Sequence, residues 1–354
     1  MPLLQENQAG TVPLASTSAI REDLADYIAI VDAKSTPFVS MAPKGKDLGN
    51  MQFSWQVDNY GDPQLQGVVD GADVTVSSAA NPVQNRTRLN NYGQVFRRDL
   101  RIGFIAETQN VAGVTDELAN GIAKTLVLIK RDMEATFMCT NQAAQTEVST
   151  ANPYLTGSLG NWLTSTNSSN IGACASGSPF LPNTGAIDAT ASASFTEATA
   201  QNVLTAVYSK TGLFRDYDCI LGTTLKRAFT NLTASGTVSV QTPNLGVAAT
   251  SVRTFNQELG NDTFKNSIDL FEGDFGRLIL HPTQFLGSTT GTTLTATATK
   301  GYVIPMDMVE VRYAKLPQVK TLPDAGGGPA RLVEAIAGLV VKNPSGFGMF
   351  NGAS

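Results

Sequence analysis

A Ser-His-Asp relay in this chain would have to pass through His281, because 354 residues include one histidine. The same count rules out a histidine-based metal cluster within one chain. Pro282 follows His281 and the segment reads as a strand end, where a structural or surface histidine is the simpler assignment. Asp70 and Asp73 are close enough for acid-base work or a cation site, yet Asp70-Gly71-Ala72-Asp73 also reads as a solvated turn. Asp274-Phe275-Gly276 spells the metal-binding tripeptide of protein kinases, without the Gly-rich loop, strand lysine and catalytic-loop signature that give it meaning. Gly326-Gly327-Gly328 precedes a proline and reads as a turn rather than a phosphate cradle. Cys139, Cys174 and Cys219 are odd in number, far apart and without metal-type spacing, so reduced structural thiols are expected. No catalytic, cofactor or metal site is expected.

The remaining charge clusters suit contacts between molecules. Arg97, Arg98 and Arg101 can pair with carboxylates of a neighbouring subunit or simply face solvent, and Arg86 and Arg88 lie in a polar stretch just before them. With Asp70 and Asp73, these arginines are the candidate inter-subunit contacts.

Composition points the same way. Charged residues make up 16% of the chain, against about 25% in an average globular protein. Uncharged polar surface of this kind is expected where large areas pack against other subunits and charge would have to be desolvated. The net charge of -5 argues against nonspecific nucleic-acid binding. The first residues lack a basic segment followed by an apolar core, and no apolar run is long enough for a membrane span, so synthesis in a reducing cytoplasm is expected.

The elements that would carry these groups read as α+β. Residues 1–18 look like an irregular arm, and Ile20, Leu24, Tyr27, Ile28 and Val31 follow helical spacing until Pro37 ends that helix. Phe38, Val39 and Met41 then dock the departing chain. Met51, Phe53, Trp55 and Val57 alternate as in a half-buried strand, and Tyr92, Phe96, Leu100, Ile102 and Phe104 form a second alternating run. Two strands joined by a long polar connection predict an extended hairpin arm, marginal in water until it lies on a neighbour. Leu118, Ile122, Leu126, Ile129, Met133 and Phe137 form one stripe of a long helix over 115–141, with Thr115 as N-cap and Glu134 among the charges placed off the stripe. Residues 143–194 read as an elaborated surface loop. Ser194 and Glu197 read as a capping box opening a helix, Cys219-Ile220-Leu221 as a buried strand, and 224–232 as another helix. The chain ends in two strands, around Val309 to Tyr313 and over 332–341, joined by a turn at 324–329.

This order of elements resembles the major capsid protein of tailed bacteriophages, the Hong Kong 97 fold. The likeness is carried by Ser35-Thr36-Pro37-Phe38, Asp70-Gly71-Ala72-Asp73, Asn90-Asn91-Tyr92 with Gln94-Val95-Phe96, and Leu128-Ile129-Lys130-Arg131-Asp132-Met133-Glu134-Ala135. It implies an N-terminal arm over 1–46, an E loop over 47–103, and a P domain beginning at 104–194 that holds the spine helix 115–141 and a Ser/Thr/Asn-rich insertion. An A domain over 195–300 and returning strands over 301–354 complete the subunit.

The implied function is self-assembly into hexamers and pentamers of an icosahedral shell around double-stranded DNA, bound without sequence specificity, with a portal protein and a decoration or cement protein as further partners. Scaffolding is expected to be a separate protein or already cleaved. An encapsulin-like nanocompartment shell is the alternative within the fold, and a secreted binding protein is the alternative outside it. Some shells of this fold join an E-loop lysine covalently to a neighbour's asparagine. Residues 47–123 here contain no lysine, and arginine is a poor nucleophile because it stays protonated. Noncovalent holding is therefore expected.

Overall fold

The structure is a computed structural model that describes residues 35–60, 63, 65, 67, 69–73, 86–108, 116–149, 152–164, 180–232, 268–290, 293–324 and 326–352. The helix expected over 20–31, Thr115 and Cys174 lie outside the described residues.

In chain order, a short helix α1 (Pro37–Met41) leads to β1 (Gln52–Val57), β2 (Thr87–Tyr92) and β3 (Gln94–Arg101). Helices α2 (Phe104–Thr108), α3 (Glu117–Phe137) and α4 (Leu159–Leu163) follow, then β4 (Ile187–Asp188), α5 (Glu197–Thr211), β5 (Arg215–Leu221) and α6 (Thr223–Leu232). The remainder is strand: β6 (Leu270–Gly273), β7 (Gly276–Pro282), β8 (Gly287–Thr290), β9 (Thr293–Ala296), β10 (Lys300–Ile304), β11 (Val309–Thr321), β12 (Ala330–Val341) and β13 (Gly348–Asn351). The class is α+β, as the sequence implies.

Helix α3 has 21 residues, about 31 Å at the α-helical rise. It is shorter than the 115–141 expected because Asp116 takes the cap: its carboxylate accepts the N–H groups of Leu118 and Ala119, which otherwise have no partner. Of the apolar stripe, Ile129, Met133 and Phe137 are fully buried, whereas Leu118, Ile122 and Leu126 are only half-buried. Proline 37 opens a helical turn as well as ending any helix before it, since its fixed φ and missing N–H suit a first turn.

The second alternating run does not pair with the first as one hairpin. It breaks at Gly93. Strand β2 pairs antiparallel with β1, while β3 pairs antiparallel with β12 in a three-stranded sheet ordered β11-β12-β3. The connection read from sequence therefore contains a strand, Thr87–Tyr92. Phe96, Arg98 and Leu100 face α3; Val95, Arg97, Asp99 and Arg101 point to the outer face. One apolar core lies between this sheet and α3, with α1 and α4 closing it.

The described part of residues 143–194 differs from the surface loop expected. Leu159, Trp162, Leu163, Phe180 and Leu181 are buried in that same core. A second core sits between α5, α6 and a six-stranded sheet ordered β4-β13-β10-β5-β7-β6. Helix α5 begins two residues later than a Ser194 cap would set: Thr196 is the N-cap and reciprocates with Thr199, while residues 192–194 form a 3-10 turn. Strands β8 and β9 pair antiparallel as a separate two-stranded sheet.

Candidate assembly interface

The arm is fastened at its base, and its described residues beyond the base are uncovered. At the base, β1 lies over Gly338 of β12: a Cβ there would sit 2.6 Å from the Phe53 ring, so only glycine admits this approach. Trp55 donates its indole N–H to the Lys342 carbonyl at 3.1 Å and packs against Trp162 with ring centroids 5.5 Å apart.

Asn91, fully buried, takes over where the β3–β12 ladder stops. Its amide nitrogen donates to the carbonyls of Leu339 (2.7 Å) and Gly157 (3.3 Å), and its oxygen accepts the Gly157 N–H at 2.8 Å. Gln94 and Gln142 continue the network: Gln142 donates to the Gln94 side chain and to the Thr156 carbonyl. Unpaired, these buried amides would be costly; paired, they join the turn between β2 and β3 to the 156–157 segment.

Past Val57 the described residues of the arm, up to Asp73, are exposed. Tyr60, Leu65 and Val69 are exposed to 103%, 95% and 79%. Asp70 and Asp73 sit at an exposed turn in which Ala72 donates to the Val69 carbonyl and Gly71 has φ +81°, the conformation that a type II turn asks of glycine. They form the solvated turn rather than an acid-base pair. Arg86 bonds Asp58 at 3.2 Å across the root of the arm, within one subunit.

The other arginines separate. Arg98 makes a two-pronged bond to Asp132 of α3, at 2.8 and 2.7 Å, so its carboxylate partner is in its own chain. Arg88, Arg97 and Arg101 are exposed and form no ion pair with a described residue. Arg97 lies opposite Glu334 on β12, but that carboxylate turns to Lys315 at 3.8 Å.

The second junction is where the N-terminal segment meets α3. Glu134, fully buried, accepts the N–H groups of Phe38 (2.9 Å) and Val39 (2.7 Å), the open donors of α1. Its place among the charges off the apolar stripe suggests a solvated side chain, but it faces α1 and is buried there. Burial pushes its carboxyl up to about 7, with the two N–H bonds pulling back. Asn91 and Glu134 were not singled out from sequence. The available signal was parity for Asn91, which shares a strand face with Leu89, and spacing for Glu134, three residues before Phe137.

Elsewhere the chemistry is structural. His281 bonds Asp218 at 2.9 Å between adjacent strands β7 and β5. Asp274 and Phe275 are the two-residue loop of the β6–β7 hairpin, where Asp274 N–H reaches Gln201 and Phe275 packs on Tyr208. Gly326 and Gly328 have φ of +89° and +96°, as the turn before β12 requires. Cys139 and Cys219 are buried thiols, and burial drives Cys219 well above its usual pKa, which disfavours its thiolate. Among the described residues no cluster of metal-ligating side chains occurs, and no helix is long and apolar enough to cross a membrane.

A family model described as SU10 major capsid protein matches residues 6–354. Among solved structures, the cyanophage A-1(L) capsid asymmetric unit is 12% identical over 95% of this chain and 98% of that one, with a TM-score of 0.62. A chain of Mycobacterium phage Ogopogo is 11% identical over 97% and 100%, with a TM-score of 0.55. The capsid of a native GTA particle is 13% identical over 96% and 98%, with a TM-score of 0.53. No curated protein matches the chain significantly in sequence.

Proposed function

Since this chain belongs to the SU10 major capsid protein family and is a major capsid protein of a tailed phage that assembles into the virion shell, we propose that it builds that shell as hexamers and pentamers, each subunit laying its arm over a neighbour. The supporting observation is the arm itself: Tyr60, Leu65 and Val69 are uncovered while the base is pinned by Phe53, Trp55 and Asn91. Exposed apolar side chains in the segment beyond the two-stranded β1–β2 ribbon leave its stability to be completed by another molecule.

On this reading residues 1–46 are the N-terminal arm, 47–103 the E loop, 104–194 and 301–354 the P domain, and 195–300 the A domain. Its refinement is that β3, within 47–103, belongs by pairing to the P-domain sheet. The shell encloses double-stranded DNA without reading its sequence, a role that fits a net charge of -5. It joins a portal protein at one vertex and takes a decoration or cement protein where one is encoded. The subunit is made in the cytoplasm of the bacterial host and has no enzymatic step to perform.

Electron microscopy of the purified protein, intact and lacking residues 61–85, tests this. Intact protein forms rings and closed shells; the deletion remains a soluble subunit that does not close. Heat-stable shells from the deletion would overturn the role given to the arm. Particles from the native source holding a protein cargo instead of DNA would favour a nanocompartment.

A further inference from the structure

The outer face of the β11-β12-β3 sheet is covered at one end and open at the other. Phe53 of the same subunit closes it at Gly338. From Ile336 onward the charged side chains on that face are Arg97, Asp99 and Arg101 of β3, Glu334 of β12, and Lys315 and Lys320 of β11, flanking Leu332 and Ala330, which are buried. Four cations stand there against two carboxylates, and Val95 is 48% exposed. The arm turn has the complementary set: Asp70 and Asp73 without a described cation partner, next to bare Leu65 and Val69.

We propose that the turn bearing Asp70 and Asp73 on the arm of one subunit seats on this outer face in a second copy of the chain, with Arg97 and Arg101 as its counter-charges. The inference rests on the shell reading above and adds the residues that decide where the arm lands. Val69 and Leu65 cover Val95 and Ile336, while the two carboxylates meet the two guanidinium groups. Arg97 and Arg101 are four residues apart on a strand, about 13 Å, so each arginine can serve a separate carboxylate. Like charge brought to the same place is rejected, which gives the contact register as well as attraction. Arg98 takes no part because Asp132 of its own subunit holds it.

The test is a charge exchange. Arg97→Glu with Arg101→Glu, and separately Asp70→Arg with Asp73→Arg, lower the yield of closed shells by about tenfold or more, while the four changes together restore it. Circular dichroism of the soluble subunits reads the fold in each case. A second arm, independent of tolerance to charge reversal, is the pair Asp70→Cys with Arg97→Cys: oxidised shells give a ladder of disulfide-linked subunits on a non-reducing gel, and either single cysteine gives none beyond the parent protein. Parent-like shells from either reversed pair, or no ladder from assembled double-cysteine protein, defeat the proposal. If the unaltered protein forms no shells, the shell reading fails instead, and the two failures are told apart by that control.

Discussion

The carboxylate of Glu134 accepts the backbone N–H of Val39 at 2.7 Å, tying a helix buried in the core to the segment through which the N-terminal part of the chain enters. The bond to Phe38 at 2.9 Å makes it a two-point clamp. Protonation weakens the charge-assisted character of both bonds but relieves a buried charge, and burial is the larger effect.

From this follows a pH dependence. The folded pKa of about 7 lies above the ordinary value of 4.5, so between these limits the native chain keeps a proton that the unfolded chain has released. The contribution is fully present below about 4.5 and is lost as pH rises through about 7, up to about 3 kcal/mol in all. Urea unfolding of the soluble subunit at pH 5, 6, 7 and 8 should show that slope, reduced in Glu134→Gln. Equal slopes in the two proteins would refute the assignment.

Asn91 is predicted to matter more than its polarity suggests. Asn91→Leu keeps the volume but leaves the Gly157 N–H and the carbonyls of Gly157 and Leu339 unpaired in the interior, at a cost of about 2 to 4 kcal/mol. The expected outcome is a lower urea midpoint together with faster proteolysis of the arm. An unchanged midpoint would show that water replaces the amide.

Gly338 admits Phe53, and the two form a size-matched pair. Gly338→Ala forces the ring aside and destabilises by about 1 to 3 kcal/mol; adding Phe53→Leu recovers part of the loss. The check is a double-mutant cycle by thermal unfolding, and strict additivity of the two changes would break the argument.

The fourth prediction concerns covalent chemistry. No lysine occurs between Lys46 and Lys124, so shells boiled in denaturant and reductant should run as a single monomer band. A ladder that survives reductant would mean that a lysine outside the arm has taken the cross-linking role.

Local pattern determined much of the molecule. The stripe from Leu118 to Phe137 specified a helix, alternation specified β1 and the start of β11, an apolar run specified β12, and the lone histidine and lysine-free arm narrowed the chemistry. Those features are legible because helix and strand periods are properties of neighbours in sequence. Partners distant in sequence were not legible. The split at Gly93 sends β2 back to β1 and β3 to β12, whose paired residues lie more than two hundred positions apart in sequence. Trp162 and Phe180 look like loop residues in a Ser/Thr/Asn-rich segment, and tertiary packing alone buries them. Glu134 reads as a surface charge until α1 supplies two N–H donors that need an acceptor inside the core. The physical reason is common to all three: burial and hydrogen-bond satisfaction depend on what the folded chain brings across, and a one-dimensional period records only which side of an element a residue occupies.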